Sequence, residues 1–568
     1  MKKNQHFRKV IAAATLALTA ISPSFAQSNL GSACGCPPVA SRPDVVLSTL
    51  PGYTAINGTF GGELTQGAVL TCANNYIIDK KIYIPSGKTI TINPGTVLKG
   101  RTAEFLSGTT TPDPSKASAL VIMRGGKIMA EGQKDCQIVF TAEADPMDGT
   151  YAISNIGKWG GVVVLGRATN NLTLAANGPF VPGGSGKLAV ANGLGTIEGF
   201  ATSNTQDQYG ANLTAGEVFD DNDNSGIMKY VSIRHSGAIL SVGAEINGLT
   251  LGSVGRGTTI ENVEIVSCAD DNIEIFGGTV NMRYISTIFG NDDMYDYDLG
   301  WSGKAQFLFG MKTDNTSSVD SDSGFETDSD DNKSNNTPRS TPVIYNATII
   351  GNEKTTFTAD NNGLAGINAK ELTGGEIYNS VFANFKNGLN LVKSVGTRTG
   401  GSEAYHNWSA TAGNNSAILK VKCNTFVGCT NPITVGGSAA SVLAIDTVQF
   451  KQTDMNTVVA GNNLPGFSYA ITVNNTTNAF TVKNDVVPNP ALSVAGCPTA
   501  PADGFFRAAN YRGAFASTGD NWLSDWSYSQ ILGVTQGLVD CPTDINGDGN
   551  TNIDDFLIFA PAFGTSCN

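Results

Sequence analysis

The sequence predicts an all-β fold, a parallel β-helix (solenoid) in which short strands stack coil upon coil, followed by a small EF-hand-like module. Three observations predict it. The chain holds 66 glycines, and short runs of Val, Ile and Thr alternate with Gly- and Asn-rich turns. Helical periodicity is almost absent after the first 26 residues. Acidic strand-like segments recur at intervals of about 20–30 residues, which is the repeat length of a solenoid coil. An array of β-sandwiches is the alternative fold.

The N-terminus has the features of an export signal over residues 1–26. Four basic residues open it, Val10–Ile21 is apolar but too short to span a bilayer, and Ser24–Ala26 offers small residues for cleavage. No later segment is apolar enough for a membrane span. We therefore expect an exported protein, either extracellular or held on the cell surface.

The net charge argues against nucleic acid and anionic membranes as partners. The whole chain has a formal charge of −13, and without the basic signal it has 32 basic and 49 acidic residues. Such an excess of carboxylates repels polyanions and suits a calcium-containing medium. Simple solubility explains the charge equally well.

Ten cysteines in an exported chain predict disulfides. Cys423 and Cys429 are near enough in sequence to close a small loop, and Cys541 could pair with Cys567. Cys34 and Cys36 are separated by one residue, so each is expected to pair elsewhere. Cys268 is interpreted as a small buried thiol.

Several strand-and-turn motifs identify the fold more closely. The first rung reads Thr89–Gly100, and further examples are Arg124–Ile128, Trp159–Gly166, Tyr230–His235, Glu245–Leu251 and Phe276–Asn281. These motifs resemble the rungs of secreted bacterial right-handed β-helix proteins of the pectin-lyase-like superfamily. Tyr511–Phe515 with Trp522 and Trp526 resembles the segment that closes such proteins. The resemblance implies the fold over roughly residues 70–530 and carries no assigned chemistry.

The predicted organisation has five parts. They are a signal peptide (1–26), an N-terminal leader (27–70), the β-helix (71–500), a closing segment (501–540) and a calcium-binding repeat (541–568).

The C-terminal segment predicts a Ca²⁺ site. Asp544 begins a twelve-residue loop with glycine at position 6 and the ligand offsets of an EF-hand. The expected ligands are Asp544, Asn546, Asp548, Asn550 (through its backbone carbonyl), Asn552 and Asp555. The loop resembles one dockerin type I repeat, and a full dockerin has two. Calcium binding is therefore expected, and a protein partner at this repeat is a hypothesis.

A second run is similar to a calcium loop but incomplete. Asp221, Asp223 and Ser225 occupy positions 1, 3 and 5, while Ser232 stands where the closing carboxylate belongs. A polar turn between rungs is the simpler interpretation.

The acidic segments are the main candidate site in the solenoid. Asp270–Ile275 and Asp292–Tyr297 align with a shift of 22 residues, and Asp322–Thr327 follows 30 residues later. Alternation at period two puts Glu274, Asp296 and Glu326 on one outer face. We call these three residues the acidic column. Stacked like charges repel, so the column needs a cation, a substrate or a raised pKa.

Three interpretations of this region remain open. Structural calcium would use Asp270, Asp271, Asp292, Asp293, Asp296 and Asp298 as oxygen ligands. Catalysis on an acidic polysaccharide would use Asp270, Asp271, Asp292, Asp293, Glu274, Asp296 and Glu326, because the paired aspartates resemble those of polygalacturonases. A solvated acidic ridge without function is the third interpretation.

Other residues are weak candidates for catalysis. Arg234, Arg283 or Lys304 could be the base of a lyase, but no spacing selects one. His235 is interpreted as a turn residue. Tyr295 and Tyr297 are expected in the core, whereas Trp301 is a candidate for an exposed, sugar-stacking aromatic.

The sequence therefore favours an exported, non-catalytic β-helix protein that binds calcium and faces a glycan or an extracellular matrix. The rival hypothesis is a polysaccharide lyase or glycoside hydrolase. A third hypothesis is an attachment subunit that binds a protein partner through its terminal repeat.

Overall fold

The computed structural model describes most of residues 30–535. The residues within that span that it does not describe are 104–112, 114–115, 173–192, 198–203, 242–243, 313–322, 330–335, 353–364, 394–403, 410–417, 437, 462, 468–469, 475–478, 484–485, 489–490, 518 and 533. The predicted signal peptide and the C-terminal loop from Cys541 lie outside the described residues.

The described residues form mostly short strands. The first strands are β1 (Asp44–Val46), β2 (Tyr53–Ala55), β3 (Gly61–Leu64), β4 (Ala68–Leu70), β5 (Asn75–Ile78), β6 (Lys81–Ile84), β7 (Thr89–Ile92), β8 (Val97–Gly100), β9 (Ala119–Ile122), β10 (Lys127–Glu131), β11 (Ile138–Ala142) and β12 (Val162–Leu165). The middle strands are β13 (Leu194–Thr196), β14 (Gln208–Gly210), β15 (Gly226–Arg234), β16 (Ile239–Ser241), β17 (Ala244–Glu245), β18 (Leu249–Gly252), β19 (Thr259–Val266), β20 (Ile273–Phe276), β21 (Asn281–Ile288), β22 (Tyr295–Asp298), β23 (Lys304–Met311) and β24 (Phe325–Thr327). The last strands are β25 (Val343–Ile350), β26 (Ala365–Ala369), β27 (Gly375–Tyr378), β28 (Val381–Ala383), β29 (Asn387–Leu391), β30 (Leu419–Lys422), β31 (Thr425–Val427), β32 (Asn431–Val435), β33 (Thr457–Val459), β34 (Ala470–Asn474) and β35 (Ala479–Lys483). Three short α-helices are described, namely α1 (Ala404–Trp408), α2 (Ala444–Val448) and α3 (Tyr528–Ile531).

Two long sheets contain most of these strands. Sheet A has 17 strands, and sheet B has 12. The ladder from β18 through β20, β22, β24, β26 and β29 to β32 in sheet B is parallel throughout. Each strand of this ladder pairs with the next strand of sheet B along the chain, while strands of sheet A intervene in sequence. This is the topology of a parallel β-helix, so the predicted all-β parallel β-helix is confirmed.

The long strands of sheet A bend once in each coil. Tyr230, Asn262, Tyr284, Phe307 and Asn346 all have a φ between 49° and 59°. These positions are skipped in the ladder, which pairs Lys229 with Glu261 and then Val231 with Val263. A left-handed residue in each strand therefore turns the chain at the same place in successive coils and divides sheet A into two faces.

The core follows from alternation along the strands. In β20, Ile273 and Ile275 point inward, and they join Leu249, Leu251 and Tyr295 in the main apolar cluster. Each of these side chains is at most 2% exposed. Burial of one such side chain contributes about 1.5–3 kcal/mol.

Disulfides fix both ends of the described solenoid. Cys34 pairs with Cys136 and Cys36 with Cys72, as expected from their separation by one residue. The suggested Cys423–Cys429 loop is wrong, because Cys423 pairs with Cys497 and Cys429 is free. The error arises because residues distant in sequence return to the last coils. Cys268 is a free, buried thiol, as predicted.

Coiling begins earlier than the predicted boundary at residue 71. β3 pairs in parallel with β6, and β4 with β7, so both strands already belong to the solenoid. The segment assigned to a leader therefore contributes strands to the first coils.

The described residues between 497 and 532, which include most of the predicted closing segment (501–540), lie along the outer face of sheet A, and residues 497–532 are called the closing segment from here on. Asn346 donates a hydrogen bond to the Tyr511 carbonyl at 2.9 Å, and Thr348 accepts one from the Ala514 N–H at 2.8 Å. Trp522 and Trp526 contact the aromatic rings at the left-handed bends, Tyr284 and Tyr230. The resemblance of this stretch to a closing element agrees with this position.

Candidate functional site

The acidic column has the register that the sequence predicts. Glu274 pairs with Asp296, and Asp296 pairs with Glu326, on three successive strands of sheet B. Thr250 precedes Glu274 in the same row. The row continues beyond Glu326 through Asn368, Asn390 and Thr434. Side chains of consecutive coils are therefore stacked at strand spacing, about 4.8 Å per step.

The column is on the outer side of its strands but is not a solvated ridge. Glu274 is 4% exposed, and Asp296 and Glu326 are each 8% exposed. Asp271, Asp293 and Asp298 are buried as well, whereas Asp270 and Asp292 are half-buried. Burial makes the repulsion between these carboxylates much stronger than it would be in water.

Carboxylate oxygens converge at two coils of the column. Oxygens of Asp271, Glu274 and Asp296 lie within 4.8 Å of one another, as do oxygens of Asp270, Asp271 and Asp292. Two like charges 4.8 Å apart repel by about 3–4 kcal/mol at an effective dielectric constant of about 20. Three such pairs would amount to about 10 kcal/mol, which is comparable to the whole stability of a domain. Protons or a cation must therefore compensate this charge.

Lysines compensate carboxylates next to the two groups but belong to neither group. Lys370 forms an ion pair with Glu326 and another with Asp328, the latter at 3.4 Å. Lys312 favours the ionised form of Asp293. Glu326, the third member of the acidic column, thus has a lysine as counter-ion. The two converging groups involve the two preceding strands of the ladder, β20 and β22, and the turns that lead into them.

The aspartates are also linked through the backbone. The Asp293 N–H donates to Asp271 Oδ1 at 2.9 Å, and the Ser323 N–H donates to Asp293. Burial raises the pKa of Asp271 well above its ordinary value, and neighbouring carboxylates, Asp270 first, raise it further. Burial also raises the pKa of Asp293 to about 6, although Lys312 and Ser323 oppose this shift. Without a cation, this region holds protons at mildly acidic pH.

Two neutral oxygens border the converging groups. Asn247, only 2% exposed, donates its side-chain amide to Glu274 Oε2. Its own Oδ1 is buried and has no hydrogen-bond partner among the described residues, and the same is true of Thr250 Oγ1. Sequence reasoning missed both residues, and it missed Lys370. For Asn247 and Thr250, the available signal was a polar residue in the rung that precedes the acidic segment.

The donor set suits a hard divalent cation. Ca²⁺ takes six to eight oxygen ligands, including carboxylates, amide carbonyls and water. Asp271, Glu274 and Asp296 provide carboxylates, and Asn247 provides a neutral oxygen beside them. No described His or Cys joins either group, and the donors are therefore all oxygens.

The basic residues considered for lyase chemistry lie elsewhere. Arg234, Arg283 and Lys304 belong to sheet A, where each meets the closing segment or its neighbours. Arg234 stacks on Tyr528, Arg283 donates to the Phe505 carbonyl, and Lys304 pairs with Asp503. These three side chains therefore have structural contacts on a different sheet from the acidic column.

The remaining candidates are placed as follows. His235 is buried, follows β15 and has a φ of 59°, so its interpretation as a turn residue is confirmed. Tyr295 and Tyr297 lie in the core, as predicted. The suggestion that Trp301 is exposed is wrong: it is 1% exposed and donates to the Val280 carbonyl at 3.1 Å. The turn at Leu299–Gly300 directs its ring inward against Tyr297.

The incomplete calcium-like loop at Asp221–Ser225 already makes contacts within the protein. Asp221 accepts from the Thr169 N–H at 3.0 Å and faces Arg256 at 3.8 Å. Asp223 lies near the Ser225 hydroxyl at 3.4 Å. Among the described residues, these side chains do not form a converging acidic group. These contacts agree with a polar turn between coils.

A parallel β-helix with a buried carboxylate cluster on one sheet is thus the class of protein that the fold and site define. The chain belongs to the family of pectate-lyase-like β-helix domains, whose family model matches residues 62–472. Searches of curated proteins and of solved structures gave no match. No described helix is long and apolar enough to cross a membrane.

Proposed function

We propose that this protein is an exported, calcium-binding β-helix that serves as a non-catalytic scaffold at a cell surface or in an extracellular matrix. The observation that carries this proposal is the convergence of Asp271, Glu274 and Asp296 within 4.8 Å at buried positions. The predicted export signal and the three disulfides support an oxidising location.

The burial of the column favours a structural role over a catalytic one. A polymer substrate needs access to the acid and base, whereas Glu274, Asp296 and Glu326 are each at most 8% exposed. A cation at Asp271, Glu274 and Asp296 would instead tie β20 to β22 and relieve the repulsion between them. Removing one partner of a buried ion pair typically lowers the free energy of unfolding by about 3–5 kcal/mol.

The terminal repeat is proposed as a second calcium site. Asp544, Asn546, Asp548, Asn550, Asn552 and Asp555 supply the EF-hand offsets described above. It would attach the scaffold to a protein partner, while a glycan or matrix component is proposed as the ligand of the solenoid surface.

Thermal unfolding of the full chain with Ca²⁺ or with chelator tests the proposal. The background should be Asp544→Ala/Asp548→Ala, which silences the terminal loop. In it, Ca²⁺ should raise the melting temperature, and Asp296→Asn should abolish that increase. Glu326→Gln is the matched control, because Lys370 already compensates Glu326. No calcium effect in the background variant would reject calcium binding in the solenoid.

An acidic-polysaccharide lyase or hydrolase is the second candidate. The raised pKa of Asp271 beside other carboxylates favours it, since a protonated and an ionised carboxyl can act as an acid–base pair. Cleavage of a uronate polymer by the wild type, lost in folded Asp271→Asn and Asp293→Asn variants, would establish this function in place of the scaffold.

A further inference from the structure

Asn247 has two side-chain atoms with different surroundings. Its amide nitrogen donates to Glu274 Oε2, so the side chain is held against the acidic column. Its Oδ1 is buried without a hydrogen-bond partner among the described residues. Because both atoms are bonded to the same carbon, Oδ1 lies one amide group away from the Glu274 oxygen that the nitrogen contacts.

A buried amide oxygen without a partner is costly. Leaving such an acceptor unsatisfied in the interior costs on the order of 1–3 kcal/mol, so native structures normally supply a partner. A cation is the partner that would also explain the adjacent carboxylates. Thr250 Oγ1, which is in register with Glu274, is a second buried oxygen in the same condition.

We infer that Asn247 is a ligand of the cation, supplying its side-chain carbonyl oxygen to a Ca²⁺ site formed with Asp271, Glu274 and Asp296. The inference rests on the proposed function, and it names a neutral ligand that no acidic pattern identifies. The same side chain then has two roles: its amide orients Glu274, and its oxygen enters the coordination shell. Mixed carboxylate and amide oxygens are a ligand set that Ca²⁺ accepts.

Asn368 provides an internal comparison. It occupies the same row as Glu274, three strands later, and is 2% exposed like Asn247. Its Oδ1, however, accepts a hydrogen bond from Asn390 at 2.9 Å. Asn368 is next to Glu326 in the row, and Glu326 is compensated by Lys370. This amide is therefore a structural element of the ladder and not a ligand.

Calorimetric titration with CaCl₂ tests the inference in the full chain carrying Asp544→Ala/Asp548→Ala. Asn247→Ala should weaken Ca²⁺ binding by about 10–100-fold, the range typical of losing a ligand-supporting group. Asn368→Ala, the matched control, should bind as the background does. A titration with MgCl₂ should show weaker binding in the background, because Mg²⁺ requires near-octahedral geometry and loses its water reluctantly.

Asn247→Asp separates ligation from orientation and serves if the alanine variant does not fold. It keeps an oxygen but removes the amide donor, so its Ca²⁺ affinity should be no lower than that of the background. Equal affinity of Asn247→Ala and the background would overturn the inference, as would equal weakening by Asn368→Ala or loss of affinity in Asn247→Asp. If Asp296→Asn binds Ca²⁺ as tightly as the background does, the proposed site itself fails. Loss in Asp296→Asn without loss in Asn247→Ala rejects only the role of Asn247.

Discussion

The Glu264 carboxylate accepts a hydrogen bond from the Ser529 hydroxyl at 2.9 Å, which joins the middle of the solenoid to the end of the closing segment. The Ser529 N–H donates to the same carboxylate at 3.1 Å, and the Ser232 hydroxyl donates at 2.6 Å. Glu264 is fully buried, so its oxygens need hydrogen-bond donors from the protein, and Arg234 also lies nearby, at 4.0 Å. The closing segment thus supplies hydrogen-bond donors to a buried carboxylate that would have fewer donors from the coils alone.

Removal of the Ser529 hydroxyl should therefore destabilise the fold. We expect Ser529→Ala to lower the free energy of unfolding by about 1.5–3 kcal/mol, the range for a hydrogen bond to a charged group. Urea denaturation followed by tryptophan fluorescence measures this. Ser493→Ala is the control, because Ser493 is exposed and its hydroxyl only accepts from the Ala495 N–H. Equal stability of the two variants would contradict the assigned role of Glu264.

Stability should fall in mild acid because of His235. Burial lowers the pKa of His235 from 6.5 to about 4, although Asp145 opposes the shift. Between these values the unfolded chain binds a proton that the native state does not, so stability decreases as the pH drops from 6.5 to about 4. The contribution is on the order of 3 kcal/mol.

A His235→Asn variant tests this, since asparagine tolerates the left-handed backbone at this position. Melting curves between pH 7 and pH 4 should show a smaller acid-induced loss in this variant than in the wild type. An unchanged profile in His235→Asn would assign the acid sensitivity to other groups.

Calcium stabilisation should shrink as the pH falls. The pKa of Asp271, a proposed ligand, is raised well above its ordinary value, and that of its neighbour Asp293 is raised to about 6, so protons compete with a cation bound at Asp271. Without calcium, the native carboxyls bind more protons than the unfolded chain below pH 6, and acid stabilises this region relative to neutral pH. The difference in melting temperature between calcium and chelator should therefore be larger at pH 7.5 than at pH 5. A constant difference would argue against a cation at these aspartates.

The Cys423–Cys497 disulfide should control the closing segment. Replacement of both cysteines by serine should reduce stability by about 2–4 kcal/mol. Limited proteolysis should then cleave near residue 497 before the coils are attacked. Peptide mapping of the wild type should recover the Cys423–Cys497 pair, and Cys429→Ser should leave that pair and the cleavage pattern unchanged. A Cys423–Cys429 pair in the map would contradict the structure.

Alternation along the strands, together with the 22-residue shift between the acidic segments and the resemblance of the rung motifs, predicted the fold and the stacking of Glu274 on Asp296. Period two places these side chains outside the core whatever the surrounding loops do. The burial of the column was not predictable in this way, because it depends on contacts outside the strand. Asn247 and Lys370 were missed for a related reason: each meets the column from another coil, 27 and 44 residues from the carboxylates they contact.

Trp301 and Cys423 show the limits of reasoning from neighbours in sequence. An aromatic residue after a polar strand looks exposed, but the turn at Leu299 and Gly300 sends this ring into the interior. Cys429 is six positions from Cys423, yet the partner comes from the returning closing segment. Both outcomes depend on where the chain goes after the local pattern ends.

The disulfides at the two ends of the described solenoid affect where unfolding would begin. Chain termini are ordinarily the first parts of a folded protein to open. Here Cys34–Cys136 and Cys36–Cys72 tether one extremity, and Cys423–Cys497 tethers the other. We therefore expect unfolding to begin in the central coils, where the converging carboxylates lie, and not at the disulfide-bonded ends. A cation bound among those carboxylates would then determine how long the folded solenoid resists proteases and mechanical force.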